Sequence, residues 1–165
     1  MTSIFKYFIY CTCILFCGCY GFKGITIPPD INTFYVEDFT LTKSSAPAEI
    51  TQIFAEALRR KIREESRLVN DDNNPDIIFE GNIVDFRITS IAPEEGTTTS
   101  LNRLEIVVSI SYSNEKNEED NWTKRYSDFE DYDSTEDFQN LQDDLIDVIV
   151  EDIMERIFND TFTNW

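Results

Sequence analysis

The stretch Leu104–Tyr112 constrains the fold of this chain more than any other. Leu104, Ile106, Val108, Ile110 and Tyr112 alternate with mostly polar neighbours. Successive side chains of a strand point to opposite faces, so the pattern predicts a strand buried on one face and wet on the other. Such a strand belongs to an antiparallel sheet covered on one side. The cover must come from segments with helical period, and there are two. In residues 47–66, Ile50, Ile53, Phe54, Ala57, Leu58 and Ile62 share one face, with Pro47 in the first turn where a missing N–H costs nothing. From Ser134 to about Phe158, the residues Phe138, Leu141, Leu145, Ile149 and Ile153 do the same. Ser134-Thr-Glu-Asp137 has the form of a capping box opening that helix.

Further strands flank these segments. Phe34–Phe39 is a first candidate, followed by a polar turn over 40–46 with Ser44 and Ser45 as helix caps. Asn70 to Pro75 breaks the chain. Asp76–Ile91 predicts a long strand whose apolar phase changes at the Ile83–Val84 pair, near Gly81, which points to a bulge. Pro93–Gly96 is a turn, and 114–121 a charged hairpin loop. Trp122–Tyr132 is another long strand, carrying Trp122, Tyr126 and Phe129. The order is β-α-β-β-β-α. The expected fold is α+β, one domain, with two helices packed on a mainly antiparallel four-stranded sheet as a two-layer sandwich.

Composition narrows function. The 165 residues hold 32 Asp and Glu against 14 Lys and Arg, a net charge of −18, and no histidine. Nucleic acid needs a basic footprint and is excluded as a partner. Without histidine, Ser–His and Cys–His nucleophile pairs and most transition-metal sites are unavailable. No Gly-rich phosphate loop, nucleophile elbow or metal-protease helix occurs. The expectation is a non-enzyme with no cofactor and no metal.

All four cysteines, Cys11, Cys13, Cys17 and Cys19, lie in or beside the apolar run Phe8–Cys17. That run is too short to span a bilayer of about 30 Å at about 1.5 Å per residue. It follows Lys6 and ends in small residues, as a secretory signal does. Leu15-Phe-Cys-Gly-Cys19 resembles the lipobox of bacterial lipoprotein precursors. By that resemblance Cys19 is diacylated and becomes the first mature residue. An ordinary signal peptide cut near Gly18, releasing a soluble periplasmic protein, is the alternative. The lipobox reading divides the chain into a signal peptide at 1–18, a lipidated tether at 19–33 and one domain at 34–165. Two or three acyl chains suffice for stable membrane anchoring. Cleavage would remove Lys6 and no acid, leaving the mature chain one charge more negative.

Two charged constellations remain. Arg59, Arg60, Arg63 and Arg67 fall on one side of the first helix, opposite its apolar stripe. A guanidinium fork matches phosphate geometry, so this is a candidate site for anionic lipid. The alternative is a solvated face, with Glu56 four residues before Arg60 as an intrahelical pair. Lys61 projects from the apolar side and is expected to snorkel at its margin. Asp128, Glu130, Asp131 and Asp133 lack the spacing and central glycine of a calcium loop and read as a solvated face. Asp133-Ser-Thr135 resembles a short bacterial O-glycosylation motif at Ser134 or Thr135, although the capping role explains Ser134 without it.

The ordered motifs together resemble a known family. Cys19-Tyr-Gly-Phe22 and Ile27-Pro-Pro-Asp30 open the mature chain; Phe54-Ala-Glu-Ala-Leu58, Phe79-Glu-Gly-Asn-Ile83, Leu101-Asn-Arg-Leu-Glu-Ile106 and Arg125–Asp133 follow, and Asn164-Trp165 closes it. Over the whole mature chain this is similar to the LPS-assembly lipoprotein family LptE, in its form outside the enteric bacteria. The resemblance implies an outer-membrane lipoprotein of lipopolysaccharide transport that plugs and helps assemble the LptD β-barrel, with no catalysis. It carries a role only to Cys19. Tyr20–Lys23 has no acidic cluster of the kind that sends some lipoproteins to the cell surface, favouring a periplasm-facing anchor. The acidity opposes direct lipopolysaccharide contact, since like charges repel unless divalent cations bridge them. The competing expectation is a lipid-anchored periplasmic or surface binding module with no barrel partner.

Overall fold

The computed structural model describes residues 27–42, 46–92 and 100–163. The predicted signal peptide, Cys19, Ser44, Ser45, the Pro93–Gly96 turn and Trp165 lie outside them. Eight elements run in the order β1 (Thr33–Val36), β2 (Thr40–Leu41), α1 (Ile50–Glu65), β3 (Val69–Asn70), β4 (Ile77–Ile91), β5 (Leu101–Asn114), β6 (Trp122–Asp133) and α2 (Phe138–Phe162). A 3-10 turn at Glu118–Asp120 lies between β5 and β6.

The α+β class is as expected, but the sheet is mixed. Its order is β3-β1-β4-β5-β6, with β2 also beside β4. β4, β5 and β6 pair antiparallel, whereas β1 pairs parallel with β3 and β4, and β2 parallel with β4. The four-stranded, mainly antiparallel sheet of the sequence reading is therefore corrected to six strands. Two-residue strands such as β2 and β3 carry no periodicity of their own. Their pairing follows from the α1 crossover, which returns the chain parallel to β1.

On β4 the register shifts between Ile83 and Asp85, so Val84 is the extra residue of a bulge. Burial moves with it, from Ile77, Phe79 and Ile83 before the bulge to Phe86 after it. Gly81 has a different duty. The Phe39 ring lies where a Cβ at Gly81 would project, so any side chain there collides with it.

α1 buries Ile50, Phe54, Ala55, Ala57, Leu58 and Ile62. Its cap position is Glu49, without a side-chain hydrogen bond. α2 buries Ile146, Ile149, Val150, Ile153, Met154, Ile157, Phe158 and Phe162. It starts later than the capping-box pattern placed it. Asp137 is the cap, accepting from the Gln139 N–H at 3.1 Å. Ser134 instead donates its N–H to the Ser100 carbonyl at 3.1 Å, extending the β5–β6 ladder. The Asp133 carboxylate accepts from the Thr135 N–H at 2.8 Å and hydroxyl at 2.7 Å. A short polar side chain can serve a turn or a cap, and here Asp133 serves the turn while Asp137 serves the cap.

Both helices and the alternate residues Leu104, Ile106, Val108 and Ile110 of β5 meet in one core with Phe34, Phe54 and Phe79. Phe79 packs against Tyr112 and Phe162 with ring centroids 5.3 and 6.4 Å away. Ile31, in the predicted tether, is already part of this core, and Ile27 packs partly against it. Among the described residues no helix is long and apolar enough to cross a membrane.

Candidate functional site

The four arginines of the predicted stripe separate. Arg59 turns toward the sheet. Its Nε and Nη2 donate to the Val36 carbonyl at 3.2 and 2.8 Å, and its fork ends contact Asp38 at 3.0 Å and Glu56 at 2.8 Å. Its side chain is only 19% exposed, so it ties α1 to the end of β1. Glu56 accordingly pairs with Arg59 and not with Arg60. Arg67 lies beyond the end of α1 and donates to the Pro28 carbonyl at 2.7 Å and the Asn32 side chain at 3.0 Å. Helix end and chain entry are thereby clipped together. Arg60 and Arg63 remain exposed on α1, with no ion pair among the described residues.

Arg60 borders a groove of about 600 Å³ between the helices. Ile53, Ala57, Val150 and Met154 form its apolar part, and Glu56, Glu64, Asp147 and Glu151 add carboxylates. Lys61 stands at its wall, as its place beside the apolar stripe suggested. Its ammonium is 2.6 Å from Glu65, contacts Glu155 on α2, and lies 5.7 Å from the Phe158 ring centroid. Burial draws its pKa down, but the hydrogen bonds to Glu155 and Glu65 outweigh this and the net shift is upward.

At the chain entry, Asp76 is a buried carboxylate. It accepts from the N–H groups of Asn32 at 2.7 Å and Thr33 at 3.1 Å, and pairs with Lys116 at 3.0 Å. The Asn32 N–H and Lys116 contribute most to holding its pKa at about 2, against the opposing effect of burial. This is a structural clip joining β1, β4 and the β5–β6 loop. Tyr126 donates to Asp160 at 3.1 Å; burial, then the Asp160 charge, raises its pKa.

The acidic run over 115–137 is dispersed. Asp128 pairs with Arg156 at 3.0 Å, Asp131 with Arg103 at 2.7 Å, and Asp133 holds its turn. Among the described residues no three carboxylates or other ligating groups converge on a metal position.

The sequence reading overlooked the face of β4–β5–β6 turned away from the helices. There Arg87 forks onto Glu105 at 2.6 and 3.1 Å and reaches Asp85 at 3.1 Å. Arg103 forks onto Asp131 and lies over the Phe129 ring, 3.6 Å from its centroid. These partners face each other only once strand register is known.

The match to known proteins covers most of the chain. Residues 31–161 match the LptE, lipopolysaccharide-assembly, family model. No curated protein matches by sequence. Among solved structures, a minor lipoprotein from Acinetobacter baumannii is 12% identical with a TM-score of 0.51, covering 78% of this chain and 90% of its own. A protein of the DUF330 family model from Xanthomonas campestris is 8% identical with a TM-score of 0.52, covering 84% and 90%. At such identity these neighbours attest the fold alone. Taken with the helix-covered sheet, the sequence match decides the family: this chain belongs to LptE, the lipopolysaccharide-assembly lipoproteins.

Proposed function

We propose that this protein is the plug and assembly partner of an LptD-type outer-membrane β-barrel in lipopolysaccharide export. The family match over residues 31–161 carries the reading. A compact body with polar outer surfaces suits a barrel whose interior is polar. The protein acts as a binding and assembly component and not as an enzyme. Residues 1–18 serve as signal peptide and Cys19 is acylated. The tether that follows ends before Ile31, which already belongs to the core, so the domain begins there and not at 34. The protein is anchored to the outer membrane and faces the periplasm. Where lipopolysaccharide touches this chain directly, Arg60 and Arg63 of the predicted stripe offer a phosphate guanidiniums that hold no ion pair among the described residues.

Affinity purification from detergent-solubilised outer membrane tests the partnership, with the cleaved and acylated form followed by mass spectrometry. A large heat-modifiable barrel should co-purify, and Cys19→Ala should abolish acylation and signal cleavage. Purification of the acylated protein without a barrel would favour a free-standing lipid-anchored module. Normal acylation of the Cys19→Ala protein would overturn the anchor assignment.

A further inference from the structure

The charge of this chain is unevenly spread. On α2 the carboxylates of Asp143, Asp144, Asp147, Glu151, Asp152 and Glu155 are exposed to solvent. On the opposite surface, the uncovered face of β4–β5–β6, Asp85, Arg87, Arg103, Glu105 and Asp131 are paired with one another, and Glu80 and Arg125 have no ion pair among the described residues. Of its arginines, Arg87 stands opposite Glu105 and reaches Asp85, and Arg103 stands opposite Asp131, whereas Arg125 stands opposite Ser109. Two of the three arginines are already held in forked pairs across strands. In the other rows the central residue, on β5, is small and uncharged. Ser109 stands between Asn82 and Arg125, Ser111 between Glu80 and Thr123, and Val107 between Asp85 and Ser127. The Ser111 and Thr123 hydroxyls share a hydrogen bond of 3.0 Å.

Desolvation costs most for unpaired charge, so a surface that is to be covered needs its charges matched, within itself or by the partner. The uncovered sheet face comes near that condition, with only Glu80 and Arg125, and Glu37 at its margin, left for a partner to match among the described residues, and the outer side of α2 does not. At the margin of the same face, a recess of about 260 Å³ is lined by Glu37, Asp38, Thr40, Glu80 and Asn82. Asp38 is engaged by Arg59, whereas Glu37 and Glu80 have no partner among the described residues. The recess therefore suits a cationic side chain from outside. Three strands spaced about 4.8 Å apart, running some dozen residues at about 3.3 Å each, give a patch long enough to lie along a barrel strand pair.

We infer that the uncovered face of β4–β5–β6 is the surface that docks against the barrel's inner wall, with a lysine or arginine of that wall entering the Glu37–Glu80 recess. The acidic outer side of α2 then faces the aqueous interior or periplasm. The inference rests on the barrel partnership proposed above and assigns its face.

Photo-crosslinking residues placed at Ser109, Ser111 and Thr123, and separately at Asp147 and Val148, test it in cells making the full-length lipoprotein. Mass spectrometry identifies each adduct. The sheet positions should join the barrel protein and the α2 positions should not. Glu80→Lys should lower barrel recovery about tenfold with an unchanged melting temperature, and Glu151→Lys should leave recovery intact. A barrel that co-purifies but crosslinks only to α2, or to neither face, overturns the assignment and leaves the partnership standing. Adducts between sheet faces of two copies overturn it in favour of self-association. If no barrel co-purifies, the partnership fails, and the assignment falls with it.

Discussion

At the scale of single residues, the clearest consequence of the fold is a pH dependence. Asp76 is held near pKa 2 by the Asn32 N–H, Lys116 and the Thr33 N–H. In an unfolded chain an aspartate titrates near about 3.9. A carboxylate whose pKa is lowered by folding stabilises the native state above its unfolded pKa, and that stabilisation disappears as pH falls through the folded value. We expect the native protein to lose about 1–2 kcal/mol between about pH 4 and pH 2 on account of this group, allowing for screening at the partly exposed Lys116. Asp76→Asn should be less stable by a similar amount at pH 7 and should lack this part of the acid loss. Denaturant unfolding at pH 7 and pH 3 measures both, and identical acid losses in the two proteins would contradict it. No sequence pattern announced Asp76. Its partners are more than forty residues away in Asn32 and Thr33, and in the β5–β6 loop. Arg59 and Arg67 show the same limit. Helical spacing placed them on a common stripe, but a backbone carbonyl within reach binds a guanidinium more tightly than water does.

At the scale of elements, strand β4 determines how the parallel and antiparallel parts of the sheet join. Its bulge at Val84 was legible because Ile77, Phe79 and Ile83 lie on one phase and Phe86 on the next. Its glycine was not, because the reason for it lies in the turn after β1. There Phe39 packs flat over Gly81, with Phe54 of α1 at a ring-centroid distance of 6.2 Å. A methyl group at Gly81 must displace that ring. Gly81→Ala should therefore cost about 1–3 kcal/mol, as overpacking in a filled core does. Combining it with Phe39→Leu should recover part of the loss. Thermal unfolding checks this, and a neutral Gly81→Ala would show that the ring moves aside freely. The stripe on α1 named its buried residues well. On α2 only Ile149 and Ile153 of the predicted face are buried, while Phe138, Leu141 and Leu145 are half-exposed and burial moves to Ile146, Val150, Met154, Ile157, Phe158 and Phe162. The start of α2 slipped because Ser and Asp can serve either a turn or a cap.

At the scale of the whole molecule, a net charge of −18 on 165 residues is a standing repulsion within the compact state. Salt shortens its range to a Debye length of about 10 Å at 0.1 M. Raising sodium chloride from about 10 mM to 0.2 M should therefore lift the melting temperature by about 2–5 °C. A falling melting temperature would mean that the surface ion pairs, Arg87–Glu105 and Arg103–Asp131 among them, outweigh the repulsion. The sequence by itself determined the layer architecture, the two amphipathic helices, the long alternating strands and the family, since each follows from local periodicity or from motifs in order along the chain. Only the tertiary structure decided the parallel half of the sheet, the clip at Asp76, the diversion of Arg59 and Arg67, and the matched charges of the uncovered sheet face. Those depend on which distant backbone groups and side chains meet across strands, and register between segments is set by the packed core as a whole.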